Sequence, residues 1–529
     1  KTIFLLISLL YLSYSETNAQ FKTLAEGPIF KEPVSGQVKI LLLQNGNTIY
    51  FYFQILKHYK ISFTLYNSDH KVVREDVIPL TDPDKDIFIG DALDINNDVL
   101  LVFYTYENYR KTPIRIIIDG KTGIIKGLEN KPKLVVPLAG MTEKNGLLPG
   151  INVSEAPSDK LFTLQNQSEN SYSFVSLSRN KATKSSKLKV VTFNKEQKEV
   201  GNNEYPLEQS GLEFYDIFDS KYVSPDKICL LIRGSNKKRD DIKDSKLFFL
   251  ILDVNKNSKS IFNVEHANDL ITVNGNFCFN PVSNVMLIHF VLENDSKKDK
   301  LLTSNLTAFS MVENKFVYTK QINLNTVIEQ SINEFGKSVG NINTPQDLFV
   351  NQKDGSFQIL YEKVEVKTSG YSNGSYSSKT NLGNIAILSF DKNGNETGNS
   401  IIPKDQSEEG EIYMYHDFGV NNGFQYAGTG NQFKSYAYFN GAGSPYIFIN
   451  DIPDNAESVK KGKLTTIDHV GRCFAYYYHV SQNGVLTDRN FFFDQSDKDN
   501  SLGLFTASYY DEKRNILATL RVFPNGKNE

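Results

Sequence analysis

The sequence contains no tryptophan, only three cysteines and only four methionines. Without Trp, the large rings of any core must come from its 36 Phe and 28 Tyr. Three cysteines fit neither a disulfide framework nor a Cys-built metal cage. Cys229 lies within Ile228-Cys229-Leu230-Leu231-Ile232, Cys278 between Phe277 and Phe279, and Cys473 before Phe474. All three read as small apolar fillers of strands, with one disulfide left open. There is no basic excess either. A net charge of −3 and a pI near 6.3 exclude a nucleic-acid footprint. Wholesale disorder is excluded by 40% hydrophobic against 22% charged residues. No run beyond the N-terminus approaches the ~18 apolar residues of a membrane span.

What is present begins with an export pattern. Lys1 precedes the apolar run Ile3–Leu12, then a polar stretch to Asn18, and Thr17 and Ala19 place small residues at −3 and −1. The pattern predicts a signal peptide over 1–19, cleaved after Ala19. No cysteine sits near the cleavage point, so no lipid anchor is expected there.

The rest of the chain is a cadence of short alternating or apolar runs cut by Asn, Asp, Gly and Ser. Val38–Leu43 and Thr48–Phe53 flank Asn45-Gly46, the step that type I′ hairpin turns favour. Ile61, Phe63 and Leu65 alternate with Ser62, Thr64 and Tyr66, as a half-buried strand requires. The same phrase recurs around Asn96-Asn97-Asp98, Asp119-Gly120, Asn194-Lys195, Asp253–Asn257, Lys353-Asp354-Gly355, Asp391–Asn395, Asn421-Asn422-Gly423 and Asn483-Gly484. Four-stranded units of ~60–75 residues divide the chain into about seven. Radial packing of such sheets covers both faces of each and leaves only short edges. The expected fold is therefore all-β: a β-propeller of about seven four-stranded antiparallel blades, forming one domain over 20–529. Two β domains meeting near 131–150, around Lys131-Pro132-Lys133 and Pro149-Gly150, are the alternative.

One helix is expected, over 327–335. Val327, Ile328, Ile332 and Phe335 share a helical face, Thr326–Glu329 matches a capping box, and Gly336 closes the end. The Ser/Gly/Tyr-rich stretch from Lys367 to Asn381 reads as an exposed loop, and Lys237–Asp241 and Asp295–Asp299 as mixed-charge hairpin tips.

The export signal, the phrase Leu388-Ser389-Phe390-Asp391-Lys392-Asn393-Gly394 and the Lys- and Asn-rich, Trp-free usage resemble β-propeller-like exported proteins of unknown function from Bacteroidetes-type Gram-negative bacteria. The resemblance spans most of residues 30–523. It implies a fold and a compartment, and no activity. Trp-Asp repeats and the Trp-ended Asp-box of the sialidase type are excluded by composition.

Candidate chemistry thins out on inspection. Gly336-Lys337-Ser338-Val339-Gly340 has the G-x-S-x-G spacing, but its helix precedes the Ser instead of following it, against the geometry of a nucleophile elbow. Asp391, Asn393 and Asn395, like Asp253, Asn255 and Asn257, have Ca²⁺-loop spacing. Their twelfth positions are Ile402 and Val264, so turn chemistry is the better account. His58, His70, His266, His289, His416, His469 and His479 are scattered, with only His469 and His479 placed to meet across a hairpin. Tyr413, Tyr415, Tyr436, Tyr438, Phe439, Tyr446 and Tyr476-Tyr477-Tyr478 crowd the C-terminal third, and read first as core-filling strand residues.

These observations single out no catalytic, binding or metal residue. They predict a monomeric, non-enzymatic binding or interaction protein, periplasmic or extracellular, docking a protein or glycan of the cell envelope on its propeller loops. The rivals are a glycan-acting hydrolase with carboxylates in the central channel and a purely structural envelope module. No cofactor is expected, with a structural Ca²⁺ left open.

Overall fold

In a computed structural model of the chain, each alternating run pairs antiparallel with the next, and the pairing stops and restarts to give seven blades. The structure describes residues 21–523 apart from 31–35, 55–59, 80–86, 108–109, 127–135, 138–142, 145–160, 181–182, 184, 208–211, 237–244, 267–269, 295–301, 336–343, 371–375, 410–424, 428–430, 442–443, 460, 462, 482–483, 488 and 494–499. The expected signal peptide, most of the alternative boundary near 131–150 and both charged hairpin tips lie mainly or wholly outside the described residues.

The inner strands are Gly36–Leu42, Ile87–Ile95, Leu161–Asn166, Phe214–Ser224, Leu270–Asn280, Thr344–Val350 and Ala437–Gly441, one for each of blades 1 to 7. Each blade adds three further strands in chain order. Short extra strands broaden blades 1, 2 and 6, among them Gln425–Ala427 on the free edge of blade 1's inner strand.

The core lies between blades. A second strand has a neighbouring blade on each face, so its apolar run has no reason to alternate. In Val99-Leu100-Leu101-Val102-Phe103, Leu101 and Phe103 pack with blade 1, whereas Leu100 and Val102 pack with blade 3. Leu230 and Ile232 turn to blade 3, Leu231 to blade 5. Each fully buried Leu or Phe contributes roughly 1.5–3 kcal/mol of transfer free energy. Six such clusters join blades 1 through 7 in succession. Outer strands do alternate: Lys315–Gln321 exposes every second residue. Side chains at the ends of inner strands tie consecutive blades. Asn166 donates to the Pro225 carbonyl at 2.9 Å, and Asn280 to the Gly355 carbonyl at 2.7 Å.

The interface between blades 7 and 1 is built differently. The four strands of blade 7 all come from residues 437–491. Val38, Ile40 and Leu42 of blade 1 therefore meet a wedge of C-terminal chain carrying Leu502, Leu504, Ala507 and Ala518. This wedge includes a small hairpin, Tyr509–Asp511 with Ile516–Ala518.

Three local expectations change. The helix, α1, runs over Asn325–Phe335, and Asn323, not a capping box, accepts the Asn325 amide at 3.0 Å. Among its described side chains Val327 and Ser331 are buried, while Ile332 is exposed, because blade 6 covers only a narrow face. A second short helix, α2, spans Asn455–Val459. The stretch from Lys367 to Asn381 is no simple loop: strands Phe357–Gly370 and Tyr376–Phe390 run through it, pairing Thr368 with Ser378 and Val366 with Thr380. β-Branched and hydroxyl residues support a strand where hydrophobic alternation is weak. At Asn45-Gly46, Gly46 alone has positive φ, and Leu43 and Asn47 close the turn at 2.8 Å. The two positive φ values of a type I′ turn occur at Asn96 and Asn97.

Candidate functional site at the propeller axis

Four inner strands carry a β-bulge at corresponding places. The register slips between Ile89 and Asp91, Ile217 and Asp219, Thr272 and Asn274, and Pro345 and Asp347. In each, the residue after the slip is Asp or Asn, and its Oδ1 accepts the next amide: Ala92 at 2.7 Å, Ser220 at 2.8 Å, Gly275 at 2.8 Å and Leu348 at 3.0 Å. A bulge re-aims a side chain. Here the device recurs around the axis in blades 2, 4, 5 and 6.

The bulge acids differ in their partners. Asp91 is neutralised by Lys39 of blade 1 at 2.6 Å. Asp219 is paired with Lys221 at 2.9 Å, and its Oδ2 also accepts the Phe277 amide of blade 5 at 3.0 Å. Lys221 donates in turn to the Phe277 carbonyl at 2.7 Å and lies over the Phe277 ring. Asp347 has no ion pair among the described residues, and Leu348 supplies its one backbone donor.

The Lys221–Asp219 pair of blade 4 thus stands beside Cys278 of blade 5, with Asp347 of blade 6 within electrostatic reach of both charges. Desolvation opposes the Lys221 charge, but the carboxylates of Asp219 and Asp347 outweigh it and hold the ammonium above its ordinary value. The side chain nevertheless keeps 47% of its surface accessible. Desolvation pushes Asp347 up to about 6, against the opposing pull of Lys221. It also raises the Cys278 thiol.

The C-terminal hairpin lies against the inner strands of blades 1 and 7. Tyr509 packs on the core of blades 1 and 2 and feels the charges of Asp94 and Asp91, while Tyr510 lies 5.8 Å from the Phe439 ring of blade 7. Glu512, in its turn, is close enough to act electrostatically on Cys278 of blade 5 and Tyr438 of blade 7.

Two other polar groups are closed to a ligand. His289 Nε2 lies 2.6 Å from Ser304 Oγ and 3.1 Å from Tyr361 Oη, but all three are buried between blades 5 and 6, and burial drives the imidazole down to about 3. Between blades 6 and 7, Lys404 is paired with Glu362, both fully buried, and Ser435 donates to Glu362 Oε2 at 3.2 Å. Glu408 sits beside this network, and desolvation raises it to about 7 against the pull of Lys434 and Lys404.

Sequence candidates fare as follows. Ser338, His58, His416, Tyr413 and Tyr415 lie outside the described residues. Asp391 accepts the amides of Asn393 at 2.9 Å and Asn395 at 2.8 Å, and Asp253 that of Lys256 at 2.9 Å, which is turn chemistry. His469 precedes a 3-10 turn and His479 instead faces Tyr446 at 5.0 Å, so the two do not meet across a hairpin. Tyr436, Tyr438, Tyr446, Tyr476 and Tyr477 are buried as core. Cys278 reads from sequence only as a strand filler, and Asp91, Asp219, Lys221 and Asp347 carry no signal there, because a bulge depends on register with the neighbouring strand. Among the described residues, no group of three His, Cys, Asp or Glu could hold a metal, and no helix is long and apolar enough to cross a membrane.

No protein-family model matches the chain, and no curated protein matches it. Solved structures similar to it include the polysaccharide lyase Uly1, at 9% identity and a TM-score of 0.41, covering 89% of this chain and 95% of that one. A Synechocystis apocarotenoid oxygenase mutant is similar at 9% identity and a TM-score of 0.35, covering 97% and 96%. The β-propeller domain of the Trilobed protease from Pyrococcus furiosus is similar at 7% identity and a TM-score of 0.28, covering 78% and 97%. No activity follows from likeness at this level.

Proposed function

We propose that this chain is a non-enzymatic binding propeller of the cell envelope, and that its axial cluster docks a hydroxyl-bearing group of a glycan. The observation that carries this reading is the unequal treatment of the bulge acids. Asp91 and Asp219 are each matched to a lysine, and Asp347 is left without one. Lys221 spends two of its three N–H groups on Asp219 and the Phe277 carbonyl. Its third N–H and the second oxygen of Asp347 are a donor and an acceptor suited to neighbouring hydroxyls, since a hydroxyl accepts and donates at once. Export and an envelope location rest on the N-terminal pattern, and N-terminal sequencing of the protein from a cell-envelope fraction tests them.

Glycan hydrolysis stands as the second reading, because a carboxyl near 6 suits a general acid. Against it, Asp219 already serves Lys221, the Phe277 amide and the Ser220 amide. Incubating the purified chain with neutral polysaccharides, and following both melting temperature and new reducing ends, separates the two. Binding predicts a higher melting temperature and no new ends. New ends that vanish in Asp347→Asn would establish the hydrolase.

A further inference from the structure

The segment from Phe21 to Phe30 has no regular structure and is anchored by rings near both ends. Phe21 sits in a socket on blade 7, with ring centroids 5.1 Å from Tyr446, 5.5 Å from Phe448, 5.0 Å from Tyr477 and 5.2 Å from Phe492. Phe30 lies 5.1 Å from Tyr50 on blade 1. Between them the strap is largely exposed, Leu24 at 69% and Ile29 at 91%. It therefore spans the interface between blades 7 and 1. Its rings hold it there, since aromatic pairs add to area burial.

The socket also reaches the C-terminal hairpin. Phe492 is 5.5 Å and Phe448 5.1 Å from Phe505. Phe505 begins the 3-10 turn that leads straight into the hairpin of Tyr509–Asp511 and Ile516–Ala518. Leu517 of that hairpin packs in the same cluster as Phe21. A contiguous line of rings thus runs from the strap to the hairpin that bears Glu512.

We propose that the strap is a latch on the C-terminal hairpin: Phe21 in its socket holds the hairpin against the inner strands of blades 7 and 1, and withdrawal of Phe21 releases the hairpin while the blades stay folded. The two states differ by ring contacts made only when the strap is seated, which is the differential interaction such a switch requires. This inference is independent of what the axial cluster binds.

Hydrogen exchange on the mature chain tests it. In Phe21→Ala, amides of 509–518 should exchange at least tenfold faster, with those of blades 3 and 4 unchanged. Excess synthetic peptide of residues 20–30 should refill the socket and restore protection. Leu24→Ser, in the exposed part of the strap, should change nothing. Should Phe21→Ala fail to fold, Phe21→Leu serves, with a smaller rise. Hairpin exchange that stays at the wild-type rate, or a rise spread evenly over all blades, overturns the latch.

Discussion

Asn450 of blade 7 and Gly503 of the C-terminal segment hold each other by two hydrogen bonds: the Gly503 amide donates to Asn450 Oδ1 at 2.9 Å, and Asn450 Nδ2 donates to the Gly503 carbonyl at 2.8 Å. Asn450 Nδ2 also serves the Phe433 carbonyl at 2.9 Å. One buried amide thus does at the closing interface what strand pairing does within a blade. Leucine is nearly isosteric and satisfies none of these groups. Asn450→Leu should therefore cost about 3 kcal/mol, the penalty for stranding buried backbone donors and acceptors, measured as a shift of the urea midpoint at unchanged slope.

The buried Lys404–Glu362 pair makes an opposite kind of prediction. Removing one partner leaves an uncompensated charge, so Lys404→Met should destabilise by about 3–5 kcal/mol. Replacing both, as Lys404→Met with Glu362→Leu, should recover most of that loss. A double-mutant cycle in urea measures the coupling, and additive losses would show that the two charges act separately.

Stability should depend on pH through Glu408. Its folded value, about 7, is raised above the ordinary carboxyl value of 4.5. The folded state keeps a proton that the unfolded chain has lost, so this contribution is full below 4.5 and gone once the pH passes 7. Glu408→Gln should flatten the decline in unfolding free energy between pH 4.5 and 7.5, by on the order of 3 kcal/mol. Asp347, raised to about 6, acts in the same direction over a lower window.

His289 works in reverse. Burial lowers it from 6.5 to about 3, so the unfolded chain binds a proton that the folded chain refuses. Its contribution is present above 6.5 and is lost as the pH falls toward 3. His289→Gln should make the acid limb of the stability curve shallower by about one proton, read from unfolding free energies between pH 4 and 6.5.

The blades were legible because turn chemistry and period-2 alternation act locally. Asn96-Asn97, Asp253–Asn257 and Asp391–Asn395 lie at turns between paired strands, as their Asx content predicts. The hairpin over Lys367–Asn381 was not legible, since its Ser, Thr and Gly form a strand only with the partner alongside. The axial site was hidden for the same reason. Gly90-Asp91, Phe218-Asp219, Val273-Asn274 and Gln346-Asp347 share no flanking pattern, and register with the second strand makes each a bulge. Phe21 was invisible as a latch because its socket comes from the other end of the chain.

Calorimetric titration of the glycan giving the largest thermal shift, into wild type, Asp347→Asn and Lys221→Met, tests the axial docking claim most directly. The account predicts at least tenfold weaker binding in both variants, with both proteins still folded, because each removes one half of the donor–acceptor pair. Wild-type affinity in both would place the ligand elsewhere and contradict it.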